Sequence, residues 1–225
     1  MIDNNQFGGS KPLAIFDLDG TLTTRDSFVA YLVTFGWRHG RYRALAGMPF
    51  WITAYLARLM KDYQLKQRLI GAFVAGIDPA AILEHNAWFC ERWLPQHLHP
   101  IGHRLLREHL KQQHRVILLS ASPNIFVPQI AQALGVAEVV CTRVKQVSGI
   151  WQGELDGPNC KGSEKLVALQ RYLDTTDRPL GSFSYGDSKS DLAVLSWVAH
   201  GAWIRKDDFI PLGDIPRSVF PCPSR

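Results

Sequence analysis

The chain has 225 residues, of which 46% are hydrophobic, and a net charge of +5. That length fits one domain, with or without a smaller insert, and that composition can bury a sizeable core. The positive charge suits an anionic substrate or an acidic membrane surface, whereas the lack of a dense Lys/Arg block argues against nucleic acid. The four cysteines have no CxxC spacing, and residues 1–10 carry no apolar signal core. A zinc site and secretion are therefore not expected, and a cytoplasmic location is expected.

The most informative stretch is LAIFDLDGTLTT, which begins at Leu13. Its first four residues are apolar, which predicts a strand buried on both faces, as in a parallel sheet. Asp17 follows this strand, Asp19 lies two residues further on, and Gly20 and Thr21 turn the chain. Two carboxylates this close repel each other and lose water, so they need a bound cation and hydrogen bonds from a backbone turn. Because open α/β sheets bind ligands at the carboxyl ends of their strands, chemistry is expected at this turn.

Residues 27–98 show helical spacing of their apolar side chains, and Asp26 or Ser27 can cap the first helix. Within them, Ala44–Ala57 carries no charge but is shorter than the roughly twenty residues that span a bilayer. This segment is either a core helix of a helical insert or an interfacial segment that dips into lipid. In the second case, the basic residues upstream would meet anionic headgroups. The aromatic side chains involved would be Phe50, Trp51 and Tyr55.

After this insert the pattern alternates between helices and short apolar strands, which predicts a doubly wound parallel sheet of the α/β class. The strands are expected at 116–119, 138–142, 182–185 and 202–204. We therefore expect a core made of residues 11–26 and 99–205, with 27–98 inserted as a helical cap. Residues 1–10 and 206–225 show little periodicity and are expected to be flexible tails.

Polar residues follow three of the predicted strands and would meet at one edge of a parallel sheet. They are Asp17 to Thr21, Ser120 to Ser122, and Gly186 to Asp191. Lys161 and Lys165 lie near the start of the helix between the second and third sets. Converging carboxylates suit Mg²⁺, whereas a lysine, a serine hydroxyl and backbone N–H groups suit a phosphoryl group. One carboxylate can act as a nucleophile, and a second as general acid and base.

DLDGT, the apolar strand ending in Ser120, the lysine and GDSKSD resemble the four ordered motifs of the haloacid dehalogenase (HAD) superfamily of phosphatases. The resemblance covers residues 13–204 and implies a Rossmann-like core. The helical insert directly after the first motif is similar to the cap of the phosphoserine phosphatase-like branch, subfamily IB. The resemblance implies a Mg²⁺-dependent phosphomonoester hydrolase that acts through an aspartyl-phosphate intermediate.

The resemblance also implies roles for the carboxylates. Asp17 would be the nucleophile and would contribute to the metal site. Asp19 would be the general acid/base, with its backbone carbonyl on the metal. Asp187 would be a metal ligand, and Asp191 would support the metal site or hold the lysine.

The catalytic lysine is Lys165 or Lys161. In phosphoserine phosphatases the catalytic lysine lies in a motif that is similar to Asn-Cys-Lys-Gly, the run that contains Lys161. In lipid-phosphatase-like members it lies in a motif that is similar to Gly-Ser-Glu-Lys, which ends at Lys165. Lys165 is favoured. Ser120 would bind a phosphate oxygen. The residues expected to meet the substrate are Thr21, Asp26, Arg68, Ser120 and Ala121.

Two substrate classes remain open. In phosphoserine phosphatases a Glu nine positions after the nucleophile meets the substrate amine, and here that position is Asp26, which is one methylene shorter. A cap arginine that meets the substrate carboxylate would fall near Arg68. The basic cluster followed by an aromatic segment looks closer to phosphatidylglycerophosphatase C-like members. A lipid phosphate such as phosphatidylglycerol phosphate, reached by peripheral contact with the anionic inner membrane face, is therefore one expectation. A small soluble metabolite of the phosphoserine or histidinol phosphate type is the alternative. A different hypothesis for the function is an inactive binding module.

Overall fold

Leu13–Phe16 forms the central strand of the main sheet and is named β1. All four of its residues are buried, and alternate side chains enter two different core layers. Ala14 and Phe16 pack into the larger layer, whereas Leu13 and Ile15 pack into the smaller one on the other face. The computed structural model describes residues 11–221. The burial of β1 on both faces, which its sequence predicted, is observed.

The sheet has six strands in the order β3-β2-β1-β6-β7-β8 within the described residues. Neighbours pair in parallel except β8, which runs antiparallel to β7. The predicted doubly wound α/β fold is confirmed. The remaining strands are β2 (Arg115–Pro123), β3 (Glu138–Thr142), β4 (Val144–Val147), β5 (Ile150–Leu155), β6 (Phe183–Gly186), β7 (His200–Ile204) and β8 (Phe209–Pro211).

The helices divide into an inserted group and a group that covers the sheet. The inserted helices are α1 (Ser27–Arg38), α2 (Tyr42–Leu56), α3 (Asp62–Phe73) and α4 (Pro79–Trp88). The chain then passes through a π-helical turn, Phe89–Trp93, and a short 3-10 helix, Leu94–His97. The later helices are α5 (Pro100–Lys111), α6 (Val127–Ala133), α7 (Ser163–Leu173) and α8 (Leu192–Trp197).

The strands β4 and β5 form a hairpin that packs against α3 rather than joining the main sheet. Ser148 and Gly149 make its turn, with φ values of +49° and +80°. The hairpin approaches α3 closely where Gly153 meets Gly71, since a Cβ built on Gly153 would lie 2.9 Å from the Gly71 Cα. Residues 144–155, expected in the core, therefore support the inserted helices.

The expectation of a flexible tail after residue 205 is wrong for the part that the structure describes. Phe209 begins β8 on the edge of the sheet, and its side chain is buried. Phe220 is 2% exposed and its ring contacts those of Phe183, Tyr185 and Phe209. Residues 1–10 and 222–225, the rest of the two predicted tails, lie outside the described residues.

The segment Ala44–Ala57 lies almost entirely in α2, but it is not a fully buried core helix. Within α2 only Ala44 and Met48 are buried, whereas Phe50 is 73% exposed. Among the described helices, none has the length and apolar character needed to cross a membrane.

Candidate active site

The turn after β1 holds the two acidic residues of the first motif. The Asp17 backbone N–H donates to the Tyr185 carbonyl at 3.0 Å, which continues the pairing of β1 with β6. The Leu18 carbonyl then accepts from the N–H groups of Leu22 and Thr23 at 2.8 and 2.9 Å, closing a tight turn. Gly20 takes a φ of +82° in this turn, which suits a residue without a side chain.

Lys165, near the start of α7, joins two of the motif carboxylates. Its Nζ donates to Asp17 Oδ1 at 2.6 Å and to Asp191 Oδ1 at 2.5 Å, and all three residues are buried. The second Asp191 oxygen accepts from the Ser188 N–H at 3.1 Å and from its hydroxyl at 2.9 Å. Burial opposes the charge of Lys165, but the carboxylates of Asp17 and Asp191 outweigh it and raise the pKa of the ammonium group.

Three carboxylates converge beside this lysine and leave the site with excess negative charge. One oxygen each from Asp17, Asp187 and Asp191 lies within 4.8 Å of the others. Burial raises the pKa of Asp17 to about 8, with Lys165 opposing this rise and the Asp191 carboxylate adding to it. Burial, together with the charge of Asp191, also raises the pKa of Asp187. The three carboxylates offer hard oxygen ligands, and the single ammonium group of Lys165 does not balance their negative charge. This set fits a divalent cation such as Mg²⁺.

Asp19 is held from two sides. Its Oδ1 accepts from the Ser27 backbone N–H at the start of α1, and its Oδ2 accepts from the Ser122 hydroxyl after Ala121, both at 2.7 Å. Burial and the nearby charge of Asp26 raise the pKa of Asp19. A carboxyl group with a raised pKa in a fixed orientation can donate a proton to a leaving group and later take one back.

Ser122, rather than Ser120, lines the cavity at the end of β2. Ser120 is completely buried and its Oγ accepts from the Ser122 N–H at 3.0 Å. Ala121 and Ser122 line the cavity beside Asp17, whereas Ser120 lies behind them. The Thr21 hydroxyl is buried at 3.5 Å from Asp17 Oδ2. The sequence reasoning therefore missed Ser122, although it directly follows the two residues that were chosen.

A cavity of about 330 Å³ opens over these residues, between the sheet edge and the inserted helices. Its lower part is polar and contains Asp17, Asp19, Asp187 and Lys165. The helices α1 to α3 line the rest of it with mostly apolar side chains, together with Asp62 and Lys66. The apolar side chains there are Phe28, Val29, Ile52, Tyr55, Leu65 and Leu69. A phosphoryl group fits the polar end, and the group attached to it would lie under the helices α1 to α3.

Two further predicted residues line the cavity. Asp26 is exposed there and also caps α1, since its Oδ1 accepts from the Val29 N–H at 2.8 Å. Lys161 lines the cavity but its ammonium pairs with Asp62 of α3. Of the two candidate lysines, Lys165 is the one that contacts Asp17.

Arg68 does not reach this cavity, so the structure contradicts its choice as a substrate residue. It is exposed on α3, with its guanidinium 5.8 Å from the centre of the Trp51 ring. Lys66, two residues earlier, lines the cavity instead and is only 8% exposed. Two positions correspond to about 200° around a helix, so the two side chains lie on opposite faces of α3.

Lys66 connects α3 to the loops at the sheet edge. Its Nζ donates to the Ala121 carbonyl at 2.6 Å and to Asn159 Oδ1 at 2.5 Å. The Thr142 hydroxyl, at the end of β3, lies 2.6 and 2.9 Å from the same two oxygens and can donate to either of them. The Asn159 amide in turn donates to Asp62. These contacts fix the position of Lys66 within the cavity wall.

The profile of the haloacid dehalogenase-like hydrolases matches residues 14–196. The chain belongs to this family. It is 31% identical over 193 residues to the protein CicA of Caulobacter vibrioides, covering 84% of each chain. It is 25% identical to the histidinol-phosphatase of Neisseria meningitidis serogroup C, covering 88% of this chain and 91% of that protein. A Bordetella pertussis crystal structure of unknown function superposes with a TM-score of 0.74 at 24% identity, over 83% of this chain and 86% of that one.

The chain is therefore a hydrolase of the HAD family, as the motifs predicted, and the Neisseria relative is named as a phosphatase. The placement in the phosphoserine phosphatase-like branch stays a prediction. The same holds for the individual catalytic roles, the boundaries of the cap and the identity of the substrate.

Proposed function

We propose that the protein is a Mg²⁺-dependent phosphomonoester hydrolase in which Asp17 is the nucleophile. The observation that carries this proposal is the position of Asp17, which lies at the polar end of the cavity with Lys165 on one oxygen and Asp187 nearby. Lys165 holds the carboxylate in place, and Asp191 holds Lys165. Asp17, Asp187 and the Asp19 backbone carbonyl would hold Mg²⁺, with Asp191 beside them, and the ion would neutralise phosphoryl charge.

The reaction has two displacements. In the first, an Asp17 oxygen attacks phosphorus, the bond to the leaving oxygen breaks, and Asp19 donates its proton to that oxygen. In the second, Asp19 takes a proton from water, the water oxygen attacks phosphorus, and the bond to Asp17 breaks. The products are the free alcohol and inorganic phosphate, with both aspartates restored. Ser27 and Ser122 fix the direction in which Asp19 delivers its proton.

The test is Asp17→Asn, assayed with p-nitrophenyl phosphate in the presence of Mg²⁺. We expect a loss of at least about 1,000-fold in kcat, because removing a nucleophile eliminates the covalent route. Acid-quenched wild-type enzyme should carry an acyl-phosphate on Asp17 after reaction with a radiolabelled substrate. Chelation with EDTA should abolish turnover and added Mg²⁺ should restore it.

Asp156→Asn is the matched control, because this surface carboxylate pairs with Arg143 outside the cavity. Its kcat should stay within about twofold of the wild type, as for most surface changes. If Asp17→Asn turned over substrate at the rate of this control, the assignment of the nucleophile would be wrong.

A lipid phosphate is one candidate substrate, and the surface next to the cavity favours it. Residues 27–61 contain five Arg and Lys residues and no acidic residue. Trp37, Phe50, Leu56 and Leu59 are between 65% and 82% exposed in this region. Since Ile52 and Tyr55 of α2 also line the cavity, a phosphate at a membrane surface would have a short path to Asp17.

A small soluble phosphoester is the second candidate. It is supported by the histidinol-phosphatase of Neisseria meningitidis, which matches this chain over nearly its whole length. The cavity of about 330 Å³ also suits a small molecule. In that case Asp26, exposed at the cavity wall, would meet a substrate amine.

A further inference from the structure

A polar network at the wall of the cavity joins α3 to the end of β3 and to the segment before α7. Asn159 is at its centre, half-buried but not among the residues that line the cavity. Its Oδ1 accepts from Lys66 Nζ at 2.5 Å, and its Nδ2 donates to the carboxylate of Asp62. The Thr142 hydroxyl lies 2.9 Å from the same Oδ1. A single amide therefore contacts two side chains of α3 and one of β3.

An amide is the side chain that these partners require. The ammonium group of Lys66 only donates hydrogen bonds, whereas the carboxylate of Asp62 only accepts them. Asn159 offers an acceptor to one and a donor to the other, which neither a carboxylate nor an apolar side chain of the same shape can do. Asp62 also accepts from Lys161 Nζ. The segment 159–161 is thus held to the start of α3 through both of its end residues.

The segment held in this way leads directly into the helix that carries Lys165. Gly162, with a φ of +63°, connects it to α7, and the Lys165 N–H donates to the Gly162 carbonyl at 3.2 Å. Lys165 therefore lies in the first turn of α7, where its Nζ contacts the Asp17 carboxylate at 2.6 Å. A shift of residues 159–161 would move this first turn, and with it the ammonium group beside the nucleophile.

The elements that Asn159 contacts are themselves fixed to the rest of the fold. Lys66 Nζ also donates to the Ala121 carbonyl of β2 at 2.6 Å, which anchors α3 to the sheet. The Thr142 hydroxyl accepts from the Cys160 N–H at 3.1 Å, so β3 holds the same segment from its other side. Further along, α3 packs against β5. Asn159 thus braces the segment before α7 against two elements that the fold keeps in place.

We propose that Asn159 is a positioning residue for the reaction, which ties the segment before α7 to α3 and thereby places Lys165 against Asp17. The proposal rests on the phosphatase activity proposed above. It assigns a role in turnover to a side chain that lies outside the cavity. Losing this contact should lower kcat rather than raise KM, because Lys165 contacts the nucleophile and not the leaving group.

The decisive variant is Asn159→Leu, which keeps the branched shape of the side chain and removes both its donor and its acceptor. We expect kcat for p-nitrophenyl phosphate to fall by about 10- to 100-fold, because misplacing a catalytic group by about 1 Å can cost that much. KM should stay within about twofold. Asp62→Ala breaks the same contact from α3 and should also lower kcat. Combining the two changes should cost no more than the larger of them, since both remove one contact.

Asn124→Leu is the matched control. The Asn124 Oδ1 accepts from the Val144 N–H at 2.9 Å, and this residue does not line the cavity. The variant should lower the midpoint of urea unfolding, because it loses a structural hydrogen bond, and leave kcat within about twofold of the wild type. Circular dichroism should show that all variants are folded.

A Lys165→Met background tests whether Asn159 acts through Lys165. In this background Asn159→Leu should change kcat by less than about twofold, because the group that it positions is gone. The residual rate is measured at high enzyme concentration. If Asn159→Leu lowered kcat by the same factor with and without Lys165, the proposed role would be wrong.

Hydrogen exchange separates this proposal from the phosphatase proposal, since it needs no turnover. The N–H groups of residues 160, 161 and 165 make hydrogen bonds in or beside this segment. Mass spectrometry of peptides that cover 159–166 should show exchange about 10-fold faster in Asn159→Leu, and in Asp62→Ala, than in the wild type or Asn124→Leu. That result supports the placement of Lys165 by Asn159 even if no phosphoester is hydrolysed. Exchange equal to that of the wild type in both variants, or a kcat equal to that of the control, would overturn it.

Discussion

Gly20 determines how closely the turn after β1 approaches Asp187. A Cβ at this position would lie 2.2 Å from Asp187 Oδ2, and the φ of +82° is unfavourable for other residues. Gly20→Ala should therefore displace a carboxylate that we assign to the Mg²⁺ site. We expect the Mg²⁺ concentration that gives half-maximal activity to rise by about 10- to 100-fold, as when groups that orient metal ligands are lost. A magnesium titration of p-nitrophenyl phosphate hydrolysis measures this change.

Gly149 provides the matched control for Gly20. Its φ is +80°, but a Cβ there would meet nothing within 4 Å. Gly149→Ala should lower the free energy of unfolding by about 1 kcal/mol through backbone strain, with no change in the Mg²⁺ requirement. An equal shift in the Mg²⁺ requirement of both variants would show that strain alone causes it, and would argue against Asp187 as a ligand.

The carboxylates of the site could be predicted from sequence. Residue type alone could not show that Lys66 of α3, rather than Arg68, lines the cavity. Asp17 and Asp187 directly follow apolar strands, so their placement at one edge of the sheet follows from strand direction. Arg68 was chosen by resemblance to a cap arginine. The helical period contained the better signal, because Lys66 lies three and four residues before the buried Leu69 and Ile70.

At the scale of elements, the hairpin packs closely on α3, the helix that carries Lys66. A Cβ on Gly153 would lie 2.9 Å from the Gly71 Cα and 3.4 Å from its backbone nitrogen. Gly153→Ala should therefore force the hairpin away from α3 and lower the free energy of unfolding by about 1–3 kcal/mol. It should also raise KM, because α3 lines the cavity with Leu65, Lys66 and Leu69. Urea unfolding and steady-state kinetics measure the two effects.

Gly71→Ala probes the same contact from the other side, with the opposite expected sign. Its Cβ would lie 3.6 Å from the Gly153 Cα, an ordinary contact distance. Alanine is favoured over glycine in a helix by up to about 1 kcal/mol, so this variant should be as stable as the wild type or more stable. If both variants destabilised the protein equally, the close approach would not be the cause.

Local periodicity was enough to predict most elements but not their partners. The strands expected at 116–119 and 182–185 correspond to β2 and β6. Nothing in the residues of the hairpin indicates that it packs on α3, since that contact joins segments about 80 positions apart through two glycines. Contacts of this kind depend on the whole fold rather than on a local pattern.

At the scale of the whole molecule, the end of the described chain also makes contacts that its local sequence pattern does not predict. Prolines and the absence of periodicity after residue 205 predict a loose tail. Phe209 and Phe220 nevertheless anchor this segment, because the Phe220 ring contacts Phe183 and Tyr185 of β6 and the Phe209 ring packs on Phe220. Two isolated aromatic residues produce no periodic signal, and only the finished sheet offers the surface that receives them.

The basic, aromatic surface of residues 27–61 supports the lipid-phosphate candidate, and vesicle sedimentation tests it. If this surface binds lipid, the wild type should sediment with anionic vesicles, and part of the binding should survive high salt because apolar side chains insert. Leu59→Ser should remove the salt-resistant part, since Leu59 is 82% exposed. Leu180→Ser is the control, because Leu180 is 76% exposed just before β6, at the edge of the sheet opposite the cavity.

The charge contribution is tested separately with Arg41→Gln and Arg43→Gln. Each change should weaken binding at low salt by about 1 kcal/mol, or roughly fivefold, because each basic residue near an anionic surface contributes about that amount. Both residues are exposed or half-buried at the start of α2, so their loss should leave folding intact. If the wild type does not bind, or binds only at low salt, the interfacial role of α2 is removed. Small soluble phosphoesters would then be the remaining substrate class.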